Sequence, residues 1–413
     1  MNIEANQITS HYSILEDVTL PQEWKLIEIK KVAAISTGGS APQGHNYFNG
    51  SNPFVRVQHL DINSDIVRRW DLITDEAVQN FKLKLFPKGT IVFPKSGASI
   101  RLEKKAILPI DSFLVSHLCA VLPYSDKVEP RFLLYSLKTI KFSQHKESGY
   151  PTLNTSEIKS TKIPLPEQKT IAHILSTVQR AKEATEQVIR ATKELKKSLM
   201  RYLFTYGAVP VEEAENVKLK ETEIGMVPED WEVTTLGGNC HFTTGKLNSN
   251  QAVSYGRYPF FTCSKTTFRI DRYSFDCEAI LLSGNNAKGE YSVKHYKGKF
   301  DAYQRTYVIT IKDTSLLEYR FLLHALDINL ENLKLKSIGT STKFLTLKTL
   351  QSFQIPLPSL DEQKQIAEIL SAADRKIEAE ENRKKALDEL FKTLLNNLMT
   401  GKLRVNTIEV KES

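Results

Sequence analysis

Cysteine is scarce in this sequence, and the four present, Cys119, Cys240, Cys263 and Cys277, stand too far apart for a zinc-ligand pair or a redox pair. Reduced thiols in the core are the expectation that leaves. No stretch approaches the ~20 continuous apolar residues of a spanning helix. The opening MNIEANQITSHYS lacks the apolar core of a signal peptide. A cytoplasmic location with no membrane partner is therefore expected. Catalytic signatures are missing too. The segment Gly284-Asn-Asn-Ala-Lys-Gly289 has the glycine spacing of a Walker A loop, but it continues Glu290-Tyr291, without the lysine and hydroxyl that hold phosphate and magnesium. No Gly-x-Gly-x-x-Gly follows a strand, so a dinucleotide or methyl donor lacks its usual loop. No His-Glu-x-x-His, Gly-x-Ser-x-Gly or Ser-x-x-Lys nucleophile stands in a convincing context. The chain is expected to be non-catalytic, with no metal or cofactor of its own.

What is present is length, positive charge and repetition. At 413 residues, 41% of them hydrophobic and 25% charged, the chain exceeds what a single core supports. Its net charge of +8 favours a polyanionic partner without proving one. Leu20-Pro-Gln-Glu-Trp24-Lys-Leu returns as Val227-Pro-Glu-Asp-Trp231-Glu-Val, and the same offset carries Thr37-Gly38 onto Thr244-Gly245. Gly50-Ser-Asn-Pro53-Phe54 returns as Gly256-Arg-Tyr-Pro259-Phe260, and Pro94-Lys-Ser96-Gly97 as Leu281-Leu-Ser283-Gly284. Arg131-Phe-Leu-Leu returns as Arg320-Phe-Leu-Leu. Each half closes on Ile-Pro-Leu-Pro, at 163–166 and 355–358, followed by Glu167-Gln-Lys-Thr-Ile171-Ala and Glu362-Gln-Lys-Gln-Ile366-Ala. The order never changes, which chance similarity would not preserve. Framework residues agree between the halves while the polar residues between them differ, as expected of one scaffold carrying two binding surfaces on its loops.

After each Pro-Leu-Pro the composition turns to strong helix formers without Gly or Pro, over 167–205 and 359–400. In the first stretch Ile171, Ile174, Val178, Ala181, Thr185, Val188, Thr192, Leu195 and Leu199 form a heptad seam. Ile366, Leu370, Ala373, Ile377, Glu380, Lys384, Leu387, Phe391, Leu394 and Leu398 form another. A helix of that length spans roughly 57 Å at about 1.5 Å per residue. It needs a partner for its stripe, and its own repeat is the nearest candidate. Antiparallel pairing would carry the globular parts to opposite ends of a rod; the alternative lays each helix on its own domain. Gly207 and Gly401 read as C-terminal stops. Runs such as 90–93, 119–122, 279–282 and 307–311 read as buried strands. The fold expected is thus mixed α/β (α+β): two globular domains, a pair of long antiparallel coiled-coil helices and an internal pseudo-two-fold repeat.

Polar stretches at equivalent places of the two halves are the candidate binding residues. In the first they are Ser40, Gln43, His45 and Asn46; Arg56, Gln58 and His59; Lys95, Ser96, Ser99 and Arg101; and His117. In the second they are Lys246, Asn248 and Asn250; Ser264 and Lys265; Asn285, Asn286 and Lys288; and Tyr303, Gln304 and Arg305. These residue types read base edges and hold phosphates. Singly, each also suits a solvated turn; the case rests on the set.

With these motifs the arrangement resembles the specificity subunits of type I restriction-modification systems. The most specific stretches are Glu221-Thr-Glu-Ile-Gly-Met-Val-Pro-Glu-Asp-Trp231, Gly298-Lys-Phe-Asp-Ala-Tyr-Gln-Arg-Thr-Tyr307, and Ile355-Pro-Leu-Pro-Ser-Leu-Asp-Glu-Gln-Lys-Gln-Ile-Ala-Glu-Ile-Leu370. One departure is that Ile163-Pro-Leu-Pro-Glu167 lacks the three residues Ser359-Leu-Asp361, so the first helix is expected to start differently. The resemblance implies target recognition domains over 1–162 and 208–354, long helices over 163–207 and 355–402, and a tail over 403–413. It implies that each domain recognises half of a split, asymmetric site in double-stranded DNA. The helices would set the spacer and dock two methyltransferase (M) subunits, and restriction (R) motor-nuclease subunits would join them. S-adenosylmethionine, ATP and magnesium are expected only on those partners. The residues alone reach a two-headed basic protein with helical struts, which a protein-gripping adaptor would also satisfy.

Overall fold

A computed structural model describes residues 20–142 and 152–405; the opening segment read for a signal peptide and the tail beyond 405 lie outside them. The chain divides into two compact units that are not consecutive in sequence: Met1–Gln187 with Glu381–Ser413, and Val188–Glu380. Each unit therefore holds one globular region and part of each long helix, Gln168–Tyr206 and Leu360–Met399.

The first unit contains two four-stranded sheets. One is antiparallel, in the order Ala33–Thr37, Leu118–Pro123, Ile91–Pro94, Ala106–Ile107. The other runs Asp71–Ile73, Phe48–Val55, Ser112–Leu114, Leu85–Phe86 and includes one parallel pair. The second unit is built on one six-stranded sheet, in the order Cys240–Thr244, Thr306–Ile311, Phe275–Ser283, Val293–Ala302, Tyr258–Phe261, Phe268–Ile270. Both are mixed helix and strand, and the apolar runs expected as strands fall within strands except for Thr90, which precedes Ile91–Pro94.

A shared device closes each globular region. The strand after the entering tryptophan pairs antiparallel with the Ile-Pro-Leu strand that leaves, Lys25–Glu28 with Lys162–Leu165 and Glu232–Thr235 with Gln354–Leu357. Proline is tolerated because these ribbons have only two strands, so its missing N–H can face outward. A helix capped by a glutamate follows the same plan, Pro130–Thr139 behind Glu129 and Tyr319–Ile328 behind Glu318. The Glu129 backbone N–H donates to Gln168 Oε1, and the Glu318 N–H to Gln363 Oε1, each at 2.9 Å. One glutamine side chain thus fixes each long helix to its domain.

The long helices complete the cores, which is why the units are discontinuous. Ile171, Ala172 and Leu175 are buried with Phe391, Leu398 and Met399 in the first unit. Met200, Leu203 and Phe204 are buried with Ile366, Ala367 and Leu370 in the second. Inside the first unit Lys182 pairs with Asp388 at 2.7 Å and Glu186 with Lys384 at 2.6 Å, so rising numbers on one helix meet falling numbers on the other. Lys196–Asp374 at 2.7 Å plays the same part in the second unit. Gly207 and Gly401, at φ +81° and +71°, end the helices in the left-handed conformation expected of C-terminal stops. Gly207 lies beside Trp231, and Gly401 beside Trp24.

The heptad seam differs from expectation on the first helix. Val188 and Leu195 are 38% and 56% exposed, while Thr185, Ile189 and Met200 are buried and Lys196 is largely covered. Ile171 and Thr185 are covered where the seam placed them, and the covered positions at 175, 182, 189, 196 and 203 keep the seven-residue spacing one residue later than expected. The offset is present from Leu175 in the first heptad, so it is a one-residue difference in phase rather than an accumulated drift. On the second helix Ile366, Leu370, Glu380, Phe391 and Leu398 are buried where the seam placed them. The helix starts also differ. Ser359 Oγ accepts from the Glu362 N–H, and Glu362 in turn accepts from the Trp231 indole at 2.9 Å. Glu167, with no such lead, accepts from Arg404 instead. Only two thiols sit in the core: burial pushes Cys119 and Cys240 up to about 12, whereas Cys263 and Cys277 are half-buried. No described helix is long and apolar enough to cross a membrane.

Candidate nucleic-acid interface

In the second unit the candidate loops converge beside the sheet, drawn together by backbone bonds. Gly245 begins the 246–250 loop flat against the strand end, where a Cβ would stand 1.8 Å from the Ala302 carbonyl oxygen. That closeness lets Leu247 bridge to Tyr303, and the Gln304 N–H donates to the Leu247 carbonyl at 2.9 Å. The Gln304 amide then donates to Asn248 Oδ1 at 3.0 Å. From the other side the Gly284 N–H donates to the Arg305 carbonyl at 2.8 Å. The Cys263 thiol donates to Asn285 Oδ1 at 3.0 Å, fixing that amide. Lys288 caps its own turn through an N–H donated to Asn286 Oδ1.

Lys246, Asn248, Asn250, Lys265, Lys288, Gln304 and Arg305 are exposed on this surface; Ser264, Asn285, Asn286 and Tyr303 are half-buried. The Arg305 guanidinium stands 5.8 Å over the Phe344 ring, which holds its orientation without spending its donors. Beside it opens a cavity of about 400 Å³ bounded by Gly284, Gln304, Tyr307, Ile338, Phe344 and Leu345. Two participants were not apparent in the sequence. Lys294 donates to the Ser264 carbonyl at 2.9 Å, and burial lowers its pKa. The segment around Phe344 pairs with Asn285 and Asn286.

The first unit brings together fewer of its candidates. Gly38 and Gly39 lie against the strand end at 114–118, with Gly39 bridged to Val115, and so place the start of the loop holding Ser40, Gln43, His45 and Asn46, all exposed. The Lys95 N–H donates to the His117 carbonyl at 2.9 Å, and Ser96 Oγ lies 2.6 Å from His117 Nδ1. Ser99 donates to the Ser96 carbonyl, while Arg101 and His117 stay exposed. Thr152 bridges to Ser96, and the Leu153 N–H donates to the Lys95 carbonyl, the place taken by the Phe344 segment in the second unit.

Three candidates serve the scaffold. Arg56 pairs with Asp71 at 2.6 Å and lies over the rings of Phe48 and Phe54. His59 is buried, accepts from the Arg56 N–H through Nδ1, and is pushed down in pKa by desolvation. Ser96 is likewise buried, so it orients His117 from within. Gln58, between them, remains exposed. The tie at 152 and 344 had a signal: Leu153 and Leu345 are separated by the same offset as Ile163 and Ile355, and each is followed by a short helix, Thr155–Ser160 and Leu347–Gln351, the second capped by Thr346. Among the described residues no cluster of three or more His, Cys, Asp or Glu could hold a metal ion.

A sequence profile of the type I restriction modification DNA specificity domain matches residues 21–194 and again 228–389. The MjaVIII type I restriction enzyme specificity subunit of Methanocaldococcus jannaschii is 26% identical over 438 residues, 96% of this chain and 97% of that protein. The EcoDI type I restriction enzyme specificity subunit of Escherichia coli is 35% identical over 176 residues, 43% of this chain and 38% of that protein. The crystal structure of the type I restriction-modification system S subunit from M. genitalium shares the fold, with a TM-score of 0.65 over 92% of this chain and 96% of that chain at 16% identity.

Proposed function

From the premise that this chain belongs to the type I restriction modification DNA specificity family, we propose that its two units each read one half of a bipartite, asymmetric site in double-stranded DNA. It is a specificity subunit, and the chemistry belongs to other subunits of such an enzyme. The observation that carries the reading is the gathering of Lys246, Asn248, Asn285, Lys288, Gln304 and Arg305 on one surface of the second unit. Amides and a guanidinium held by second partners are what direct readout of base edges requires, and the lysines beside them suit phosphates. In the first unit Ser40, Asn46, Lys95, Arg101 and His117 take the corresponding part.

In the same reading the long helices form an antiparallel coiled-coil pair that sets the spacer between half-sites, and the pairing of halves is a pseudo-two-fold repeat. Methyltransferase subunits dock along the helices and bring S-adenosylmethionine; restriction subunits bring ATP and magnesium chemistry. Val188, Ala191 and Leu195, exposed on one side of the first helix, support an apolar contact of that kind. The complex works in the cytoplasm.

The test begins by mapping methylated positions in host DNA, which yields the site. Duplexes with either half scrambled are then titrated against the full chain at two salt concentrations. Arg305→Ala and Lys288→Ala should weaken binding to one half-site only, with Lys288→Ala also flattening the salt dependence. Unchanged binding to both half-sites in both variants would make the loop assignment wrong, whereas parent binding that is absent or ignores salt would favour a protein-gripping adaptor.

A further inference from the structure

We propose that residues 337–344 form a hairpin that grips the DNA backbone next to the bases read by Asn285 and Arg305, with Lys343 as its phosphate contact; this rests on the recognition reading above. The Ile338 N–H donates to the Phe344 carbonyl at 3.0 Å and the Phe344 N–H to the Ile338 carbonyl at 2.8 Å, which closes the hairpin. Its second strand, Lys343–Phe344, then pairs antiparallel with Asn285–Asn286. The hairpin is therefore an added edge of the recognition surface and moves with it. The Leu345 N–H donating to the Gly284 carbonyl at 2.9 Å fixes the same join.

The chemistry of the hairpin is that of a backbone grip. Its tip, Gly339-Thr340-Ser341-Thr342, offers hydroxyls and backbone N–H groups but no amide or guanidinium to read a base edge. Gly339, Thr340 and Ser341 are exposed. The stems of Lys334 and Lys343 flank Gly289, so two cations stand where the hairpin meets the Lys288 turn. Lys334 is engaged with Glu331 at 3.6 Å. Ile338, 58% exposed at the rim of the cavity beside Arg305, places the apolar side of the hairpin towards the same surface. The equivalent tie in the first unit, Thr152 to Ser96 and Leu153 to Lys95, marks this join as a device of the scaffold.

The experiment uses the full chain and the cognate duplex between 50 and 200 mM salt. One phosphate contact contributes about 0.9 to the slope of log affinity against log salt, so Lys343→Ala should reduce the fall over that fourfold range by about 3.5-fold. Preference for the cognate over a scrambled second half-site should stay at the parent value. Lys343→Arg should restore the slope, and an unaltered unfolding midpoint separates the effect from misfolding. If Lys343→Ala leaves slope and affinity unchanged while Arg305→Ala loses the second half-site, the hairpin grip is refuted and the recognition reading stands. If neither variant alters binding, the assignment of this surface to the second half-site falls as well. Loss of half-site preference in Lys343→Ala would make the hairpin a base reader, and loss only of methyltransferase co-purification would make it a protein dock; either result overturns the phosphate assignment.

Discussion

Replacing Gly245 with alanine should cost the chain one half-site. An ideal Cβ at this position lies 1.8 Å from the Ala302 carbonyl oxygen and 2.1 Å from its carbon, where real contacts stay above 3.0 Å. The obstacle is backbone on both sides, so the segments must part by about 1.2 Å (3.0 − 1.8). Overpacking of this kind costs ~1–3 kcal/mol. The bond from the Gln304 N–H to the Leu247 carbonyl would be lost with it, at ~0.5–1.5 kcal/mol. The functional effect exceeds that, because Tyr303, Gln304 and Arg305 follow directly and a base contact tolerates no such displacement. A bidentate contact contributes ~1–3 kcal/mol of discrimination, so affinity for the second half-site should fall roughly ten- to hundredfold. A Cβ added to Gly38 would stand 2.3 Å from the Leu114 and Val115 carbonyl oxygens, and Gly38→Ala should remove the other half-site. Fluorescence anisotropy with duplexes scrambled in one half at a time, alongside urea unfolding, reads both effects. If Gly245→Ala bound the second half-site within twofold of the parent and unfolded at the parent's urea concentration, the argument from close approach would be refuted.

The remaining predictions concern thiols and pH. Cys263 touches Asn285 and Arg305, so alkylation with N-ethylmaleimide should abolish second half-site binding, and cognate DNA should protect this thiol. Equal alkylation with and without DNA would count against Cys263 lying at the interface. Buried His324 is held neutral, its pKa lowered to about 4 by desolvation, with Lys196 and Arg320 adding to the effect and Asp374 opposing it. The unfolded chain takes up this proton near pH 6.5 and the folded chain only near 4. Stability from this group is thus complete above about pH 6.5 and falls as the pH drops through that window, by on the order of 3 kcal/mol. His324→Leu should flatten the urea-unfolding midpoint between pH 7 and 5 relative to the parent. A parallel decline in both proteins would remove His324 as the cause.

The parts legible in the sequence were those fixed by local chemistry. Apolar runs such as 279–282 became the buried centre of a strand, and the glycine-free stretches became helices that stop at Gly207 and Gly401. The loops at Ser283-Gly284 and Tyr303-Gln304-Arg305 could be matched because framework residues anchor them at fixed places. What escaped depends on partners distant in sequence. Nothing beside Arg56 announces that Asp71, on a neighbouring strand, will take its charge and leave His59 inside. The seam placed Val188 and Leu195 under cover because it followed the apolar residues, whereas the stripe that packs, at 175, 182, 189, 196 and 203, includes Lys182 and Lys196, covered through ion pairs with Asp388 and Asp374. The hairpin at 337–344 has no apolar pattern, and its role follows from pairing with Asn285 and Asn286 about 60 residues earlier.

The two units keep the same anchors and change what the anchors present. Gln168 and Gln363 make the same bond to the capped helix, and the ribbon after each tryptophan pairs in the same sense. Where the second unit presents Asn285, Gln304 and Arg305, the first presents Lys95 and His117, with Ser96 behind them. Amides and guanidinium groups distinguish adenine from guanine, whereas lysine and imidazole beside a buried hydroxyl make a different pattern of donors and acceptors. A palindromic target would require matched chemistry on two heads that share a scaffold. Since the scaffold is retained and the chemistry is not, the half-sites should differ in sequence. Exchanging residues 95–101 for 282–288 should therefore transfer little specificity unless 115–117 and 303–305 are exchanged with them, because each loop is held by the strand end opposite. Transfer of a complete half-site specificity by residues 95–101 alone would show that the loops read independently.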